Sequence, residues 1–515
     1  LAGNGGNPAQ EGESIVTKQI PEAIAGYRRI FERRTEEQLS TLANIKRFME
    51  CLSGDSDFRQ GLKDNPDDPS ALMKEYGIPL DALELLPVWH TQYMKHRYTE
   101  EGKKWPLAHI WDEYMQEMIT HRDILRDHGS MEKIHPRFHA WRERQLKRAV
   151  SELGGSAQSI THPILSFELS EGCSVGCWFC GISADKFAGH YSYTSENAAL
   201  WQGILGVCDD LFGEATQTGF CYWATDPSDN PDYPKFIEDY YKTTGMLPQT
   251  TTAAPLKNVP LTREILALFD KYRCITNRFS VLTLRQMRAI HAEFTPEELM
   301  GVELVLQNKE SLTVKASAGR AMDRKKKLES QGKDNKISLL EGDHSTIACV
   351  SGFLINMPNK VVRLASPTRA GKLWPKGYRV YAEAHFETVE DFRRVVEEMI
   401  DAHMPESVPS FETLAFRSDF EYTGLPEGFQ LNNGINKHTV KGFSFTARLG
   451  ELVSEGDKSA GTVMGELISS GEDIFLVNEM LQNLFDNSLF NDDPALAGIG
   501  SGKSGGGESG PSRAA

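Results

Sequence analysis

Apolar residues recur at helical spacing through the first part of the chain. Ile20, Ile24, Tyr27, Ile30 and Phe31 would share one face of a helix. The same periodicity predicts helices at 42–52 and 111–125. Pro66 and Pro69 punctuate the interval, and Ser70 is placed as the N-cap of a further helix. From about residue 159 the pattern changes. Short apolar runs at 165–169, 219–225, 249–253, 278–283, 302–307 and 347–355 predict strands. Helical stretches at 196–211, 234–243, 262–271 and 283–293 alternate with them. Strands and helices alternating in this way predict βα units and an α/β fold class. Thr388-Val389-Glu390-Asp391 then opens another helix, carried on by Phe392, Val395, Val396 and Met399. Three short helices follow near 445–453, 458–469 and 473–486, spaced like a helix-turn-helix.

The expected organisation is a disordered lead-in at 1–14, a helical accessory domain at 15–155, and an α/β domain at 156–385. A small, mostly helical C-terminal domain at 386–490 and a disordered Gly/Ser-rich tail at 491–515 complete it. A chain of 515 residues, 40% hydrophobic and 25% charged, has ordinary globular composition for several domains. The formal charge of −16 argues against a nucleic-acid partner. Locally, three Lys or Arg face eight Asp or Glu between Lys441 and Phe490, so the helix-turn-helix spacing predicts peptide docking or packing rather than DNA reading. No apolar stretch is long enough to cross a membrane and no secretory h-region is visible, so no membrane partner is expected.

The chemistry concentrates in Glu171-Gly172-Cys173-Ser174-Val175-Gly176-Cys177-Trp178-Phe179-Cys180. Cys173, Cys177 and Cys180 stand in a C-x3-C-x2-C array directly after the first predicted strand. Three neighbouring thiolates can hold three irons of a cubane and leave the fourth open to a small molecule. Zinc is the competing occupant, since thiolates suit it as well. A structural zinc site takes four ligands, yet no second cysteine pair exists and the nearest downstream histidine is His190. Eight cysteines in 515 residues are too sparse for a disulfide framework, and free thiols fit a reducing, cytoplasmic compartment.

This spacing resembles that of the radical S-adenosylmethionine (SAM) enzymes. The resemblance implies a [4Fe-4S] cluster on the three cysteines, SAM on the open iron, and a partial (β/α)6 barrel with its chemistry at the carboxyl ends of the strands. It also implies that Phe179 packs on the adenine. The second predicted strand ends in Tyr222-Trp223-Ala224-Thr225-Asp226-Pro227, where the superfamily carries Gly-Gly-Glu-Pro to hold the SAM amino group. The paired glycines are absent. Asp226, helped by Thr225, is expected to keep that function, against the alternative of a plain strand-ending turn. Ser280 occupies the position at which family members contact the SAM ribose or carboxylate. Asn308 and Arg320 are further candidate contacts to SAM or peptide, Arg320 having the alternative of a surface ion pair.

A narrower resemblance rests on "YWATDPSDNPDYPKF", "NRFSVLT", "KASAGR" and "ACVSGFLINMPNKVVRLASPTR". These runs are similar to radical SAM peptide epimerases of the polytheonamide (proteusin) maturation type. The resemblance spans about 159–381 and implies conversion of L- to D-residues in a ribosomally made precursor peptide. Its partners would be that precursor with its leader, and a reductant such as flavodoxin or ferredoxin. Inverting a Cα requires hydrogen removal on one face and hydrogen return on the other, and a thiol suits the return because its S–H bond is weak. An epimerase therefore needs a cysteine outside the cluster. Cys349, flanked by small residues, is the expected donor and Cys221 the reserve. Two alternatives stand beside this reading. A thioether or C–C crosslinking maturase shares the Cα chemistry, but no cysteine follows Cys349 to hold auxiliary clusters. A non-catalytic iron–sulfur or zinc protein draws its support from the missing glycine pair.

Overall fold

The computed structural model describes residues 30–274, 277–313, 318–332 and 346–495. The expected lead-in at 1–14, the apolar positions at 20–27 and the tail beyond 495 lie outside them. Among the described residues the protein is a mixed α/β structure. Helices α1 (Glu36–Gly54), α2 (Pro106–His128) and α3 (Pro136–Leu153) come first, with shorter helices between α1 and α2. Thr35 and Gln38 close α1 with the reciprocal capping box its sequence permits. Next come β1 (Leu165–Glu168), α4 (Ser195–Phe212), α5 (Tyr233–Thr244), β2 (Thr250–Thr252), α6 (Val259–Lys271), β3 (Asn277–Val281), α7 (Leu284–Glu293), β4 (Val302–Leu306) and α8 (Gly319–Ser330). Strands β5 (Gly352–Asn356), β6 (Val361–Pro367) and β7 (Tyr378–His385) lead into α9 (Val389–His403).

The parallel pairings run in one direction across the molecule. β5 lies beside β1, Ser166 of β1 is bridged to Phe220, and Phe220 is bridged to Gln249 at the foot of β2. β2, β3 and β4 continue the row in parallel. The run at 219–225 is therefore one paired residue followed by a turn, not a full strand. Its turn passes through Ala224 at φ 51°, a left-handed conformation that suits glycine better. The strand predicted at 347–355 pairs only from Gly352. It stands beside the first strand, and β6 and β7 extend that edge antiparallel.

Strand alternation divides this array into two faces. Leu165 and Phe167 of β1 and Phe353 and Ile355 of β5 pack outward with α3, α4, α5 and α9. Phe279 and Val281 of β3 and Val302, Leu304 and Leu306 of β4 pack outward against α1, α7 and the neighbouring short helices. The helices of the accessory domain expected at 15–155 thus share cores with the α/β array. Likewise α9 contributes Phe392, Val395, Val396, Met399 and Ile400 to the central core, so the expected division at 386 falls on the wrong side of this helix.

A third core lies beyond it. Strands β8 (Glu421–Leu425), β9 (Gly428–Asn432) and β10 (Lys437–Lys441) form an antiparallel sheet in the order β8-β9-β10. Helices α10 (Thr446–Glu455), α11 (Ala460–Ser469) and α12 (Ile474–Asp486) match the three predicted helices and cover it through Leu449, Leu452, Val463 and Leu481. The C-terminal part is rich in helix as expected, but it also carries this three-stranded sheet. Its strands escaped prediction because Lys437, Thr439 and Lys441 are exposed, which leaves little apolar alternation to see. The expected disordered tail is also docked at its start, where Asn491 N–H donates to Ala415 O at 2.8 Å and Asp493 is buried. None of the described helices is long and apolar enough to cross a membrane.

Candidate functional site

The three-cysteine loop leaves the carboxyl end of β1, passes through a short ribbon at Ser170–Glu171, and folds back on itself. Gly172, at φ 70°, makes the first bend, where a Cβ would collide with Lys186 O. Cys173 N–H donates to Asp185 O at 2.9 Å. Buried Asp229 braces the loop from below, accepting Ser174 N–H at 2.8 Å and the Lys257 ammonium at 2.6 Å. On the other side α8 presses its first turn against the loop. Gly319 lies so close to Cys180 O and Gly181 O that a side chain could not enter. Arg320 N–H donates to Cys180 O at 3.0 Å and its guanidinium donates to Ala184 O. The candidate ligand-binding Arg320 is thus spent on shaping the loop.

Cys173, Cys177 and Cys180 are free and partly exposed. Burial pushes the Cys177 thiol up to about 12, and the neighbouring Cys173 and Cys180 push it in the same direction. Among the described residues no group of three His, Cys, Asp or Glu is arranged to hold a single metal ion. Ligands to three different irons of one cubane must stand farther apart than ligands to one ion. The donor set of three soft sulfurs, with Ala184 N–H directed at Cys180 Sγ at 3.4 Å, fits such a cluster chemically. Phe179 is partly buried beside Trp178, in an edge contact of 5.4 Å, and Arg324 lies over the Trp178 ring.

The remaining candidates divide by geometry. Ser280 lies on the inner face of β3, the face opposite Phe279 and Val281. Thr225 sits in the turn after Phe220, its N–H directed at Tyr222 O. Asp226 is buried and already accepts from Ser228 N–H at 3.0 Å, Thr252 Oγ at 2.8 Å and Ala253 N–H at 2.8 Å. Its carboxylate locks the turn to the end of β2, which is the strand-ending role and leaves little acceptor capacity for a ligand. Asn308 is fully buried and donates to Gly54 O at 2.8 Å, tying the end of β4 to α1 rather than facing the interior. Cys221, the reserve donor candidate, also faces away from the interior. It packs outward in the central core while its neighbours Phe220 and Tyr222 turn inward.

Cys349 lies inward. The segment from Thr346 to Ser351 has no strand pairing and runs along the inner face of the array. Ile347 packs on Gly181 of the cysteine loop at one end. At the other end Ser351 N–H donates to Pro163 O at 3.0 Å and its hydroxyl meets His162 Nδ1 at 2.8 Å, at the foot of β1. Cys349 packs between the inner cluster of Phe220, Trp223, Val350 and Leu354 and a second cluster of Ala149, Leu153, Ala157 and Ile160, formed by the end of α3 and the segment before β1. Burial pushes its thiol up to about 12, with Arg278 acting against that, so the sulfur keeps its hydrogen at neutral pH. The sequence did not single out Glu168. Its side chain faces inward from β1 and accepts from Asn356 Nδ2, and burial raises its carboxyl to about 7. A lone acidic residue in an apolar strand, five positions before Cys173, was the available signal.

The chain is 48% identical over 467 residues to a protein of Sinorhizobium fredii (strain NBRC 101917 / NGR234) described as uncharacterized protein y4wI, covering 91% of this chain and 90% of that one. The chain belongs to the y4wI family. The model of the y4wI C-terminal domain matches residues 414–488, which is the sheet and three helices of the third core. No solved structure matches the chain. The domain model thus covers the third core and not the parallel array with its cysteine loop.

Proposed function

We propose that this protein is a radical SAM epimerase that converts L- to D-residues in a ribosomally made precursor peptide. The observation that carries the proposal is the placement of Cys349 on the inner face of a parallel array whose first strand runs into the three-cysteine loop. On this reading the array is a partial (β/α)6 barrel, with the active centre at the carboxyl end of β1. Cys173, Cys177 and Cys180 would hold a [4Fe-4S] cluster, which with bound SAM supplies a 5'-deoxyadenosyl radical for hydrogen abstraction at Cα.

The chain's own residues provide the remainder. Asp229, Lys257 and the first turn of α8 fix the loop. Phe179 offers an aromatic surface at its rim, and Ser280 offers a hydroxyl from the inner face. Cys349 returns a hydrogen atom to the peptide radical from the opposite side, its S–H bond breaking as the new Cα–H bond forms, and the thiyl radical left behind returns to the thiol with one electron from the reductant and a proton from water. The precursor's leader, and a cytoplasmic reductant such as flavodoxin or ferredoxin, complete the reaction.

Co-expression with a candidate precursor peptide in deuterated water tests the reading. Deuterium at Cα together with D-residues on hydrolysis is expected. Loss of two hydrogens from the peptide would move the assignment to crosslinking. Two variants probe the loop separately. Cys177→Ala is expected to abolish the iron–sulfur visible absorbance of the reconstituted protein. Asp229→Ala, which frees Ser174 and Lys257, is expected to weaken cluster retention by about 10–100-fold, the usual cost of losing an outer-shell support. Iron retained per chain after challenge with a chelator measures it.

A further inference from the structure

The inner face beside Cys349 carries a polar row that no step above uses. Arg278 of β3 and Glu303 of β4 are register partners, and their ion pair closes at 2.7 Å. Their side chains are 40% and 57% exposed although they stand on the inner face of parallel strands, so this face borders open space rather than packed core. Gln249 extends the row. With its amide oriented to satisfy both neighbours, its oxygen accepts from Arg278 Nη1 at 2.6 Å and its nitrogen donates to Tyr222 Oη at 3.2 Å. Tyr222 in turn packs in the inner cluster with Cys349. Glu303, Arg278, Gln249 and Tyr222 thus form a continuous line that ends at the cluster against which Cys349 also packs.

The charges in this line cancel. A ligand carboxylate would meet Glu303 and a ligand ammonium would meet Arg278, each at a cost in a partly desolvated site. A neutral group with a donor and an acceptor side by side meets neither penalty. It can give its N–H to the second oxygen of Glu303 and take a hydrogen from the remaining guanidinium N–H groups.

We propose that the row Tyr222–Gln249–Arg278–Glu303 binds a neutral amide of the substrate peptide and holds it against Cys349. This rests on the peptide-epimerase reading for the substrate class, but binding can be measured without turnover. The amide could be a backbone peptide unit or the carboxamide of an Asn or Gln side chain.

The test uses ligand-observed saturation-transfer NMR with the full, cluster-reconstituted chain. The probes are acetylated, amidated tripeptides Gly-X-Gly with X as Ala, Asn, Gln, Asp or Lys. Neutral probes are expected to bind at least fivefold more tightly than those with Asp or Lys. Equal binding of Ala, Asn and Gln would identify the backbone as the source, and a preference for Asn and Gln would identify the side chain. Arg278→Met is expected to weaken neutral probes about tenfold and to shift preference toward Lys. Glu303→Gln is expected to shift preference toward Asp. The exchanged pair Arg278→Glu with Glu303→Arg restores neutrality and is expected to recover the neutral preference, which separates recognition from misfolding. Unchanged affinities in both single variants, or tighter binding of a charged probe by the wild-type chain, would overturn the proposal. Failure of the epimerase reading would instead appear as absent Cα deuterium with probe binding intact.

Discussion

Cys349→Ala is expected to leave SAM cleavage intact and to reduce formation of D-residues by on the order of 10²–10⁴-fold, taking as a guide the range for a positioned proton-transfer group. The two activities separate because the cysteine loop and Cys349 are built by different segments. The loop is held by Asp229, Lys257 and α8, none of which is covalently near residue 349. Cys349→Ser provides the sharper control. It preserves the volume packed against Phe220 and Val350, but an O–H bond is too strong to yield its hydrogen atom to a backbone radical. Both variants should therefore lose inversion while keeping 5'-deoxyadenosine production, measured by chromatography alongside chiral analysis of the hydrolysed peptide. Cys221→Ala should retain inversion and lose about 1–2 kcal/mol of stability, since that thiol fills space in the outer core. Unimpaired D-residue formation by Cys349→Ala would remove the donor assignment.

Much of this site was legible because its parts are local. The C-x3-C-x2-C run, the strand before it and the helices from α4 to α7 follow from periodicity and spacing within short windows. What escaped depends on facing, and facing is decided by partners distant in sequence. Cys221 and Tyr222 are adjacent, yet alternation sends one to the outer core and the other to the inner face, and the run at 219–225 is paired at too few positions to show its phase. Asp226 looked available because its acceptors' partners, Thr252 and Ala253, lie at the end of another strand. Asn308 was drawn away by Gly54, a contact between the end of β4 and the first helix. The row from Tyr222 to Glu303 draws single residues from separate segments, so no window of sequence contains it.

One buried ionic cluster helps to place the y4wI C-terminal module, beside hydrogen bonds from Asn433 and Asn436 to Ser151 O, and the largest stability effect is expected there. Glu152, at the end of α3, accepts Arg148 Nε at 2.8 Å, Arg379 Nη2 at 2.6 Å and Thr368 Oγ at 2.9 Å. Arg379 also reaches Asp493 at 3.1 Å, and Arg417 of the module donates to Ser151 Oγ at 3.0 Å. The Glu152 carboxylate therefore joins α3 to the β6–β7 edge and lies 4.0 Å from Arg417 Nε of the module. Glu152→Gln is expected to cost about 3–5 kcal/mol, because it leaves buried guanidiniums without their counter-charge. Burial by itself would raise the Glu152 pKa, but Arg379, Arg148 and Arg417 outweigh it and hold the carboxyl well below the usual carboxylate range. A carboxyl depressed in the folded state contributes stability that is present in full above its unfolded pKa of about 4.3 and is lost as pH falls below that value. Urea unfolding of the wild-type chain should accordingly weaken from about pH 4 downward. The Glu152→Gln chain should start lower at pH 7 and show a shallower acid limb, because the group that titrates has been removed. Limited proteolysis should cut the variant first between α9 and β8, where the module joins the central core. Equal midpoints for the two chains at pH 7 would show that the cluster does not hold the module in place.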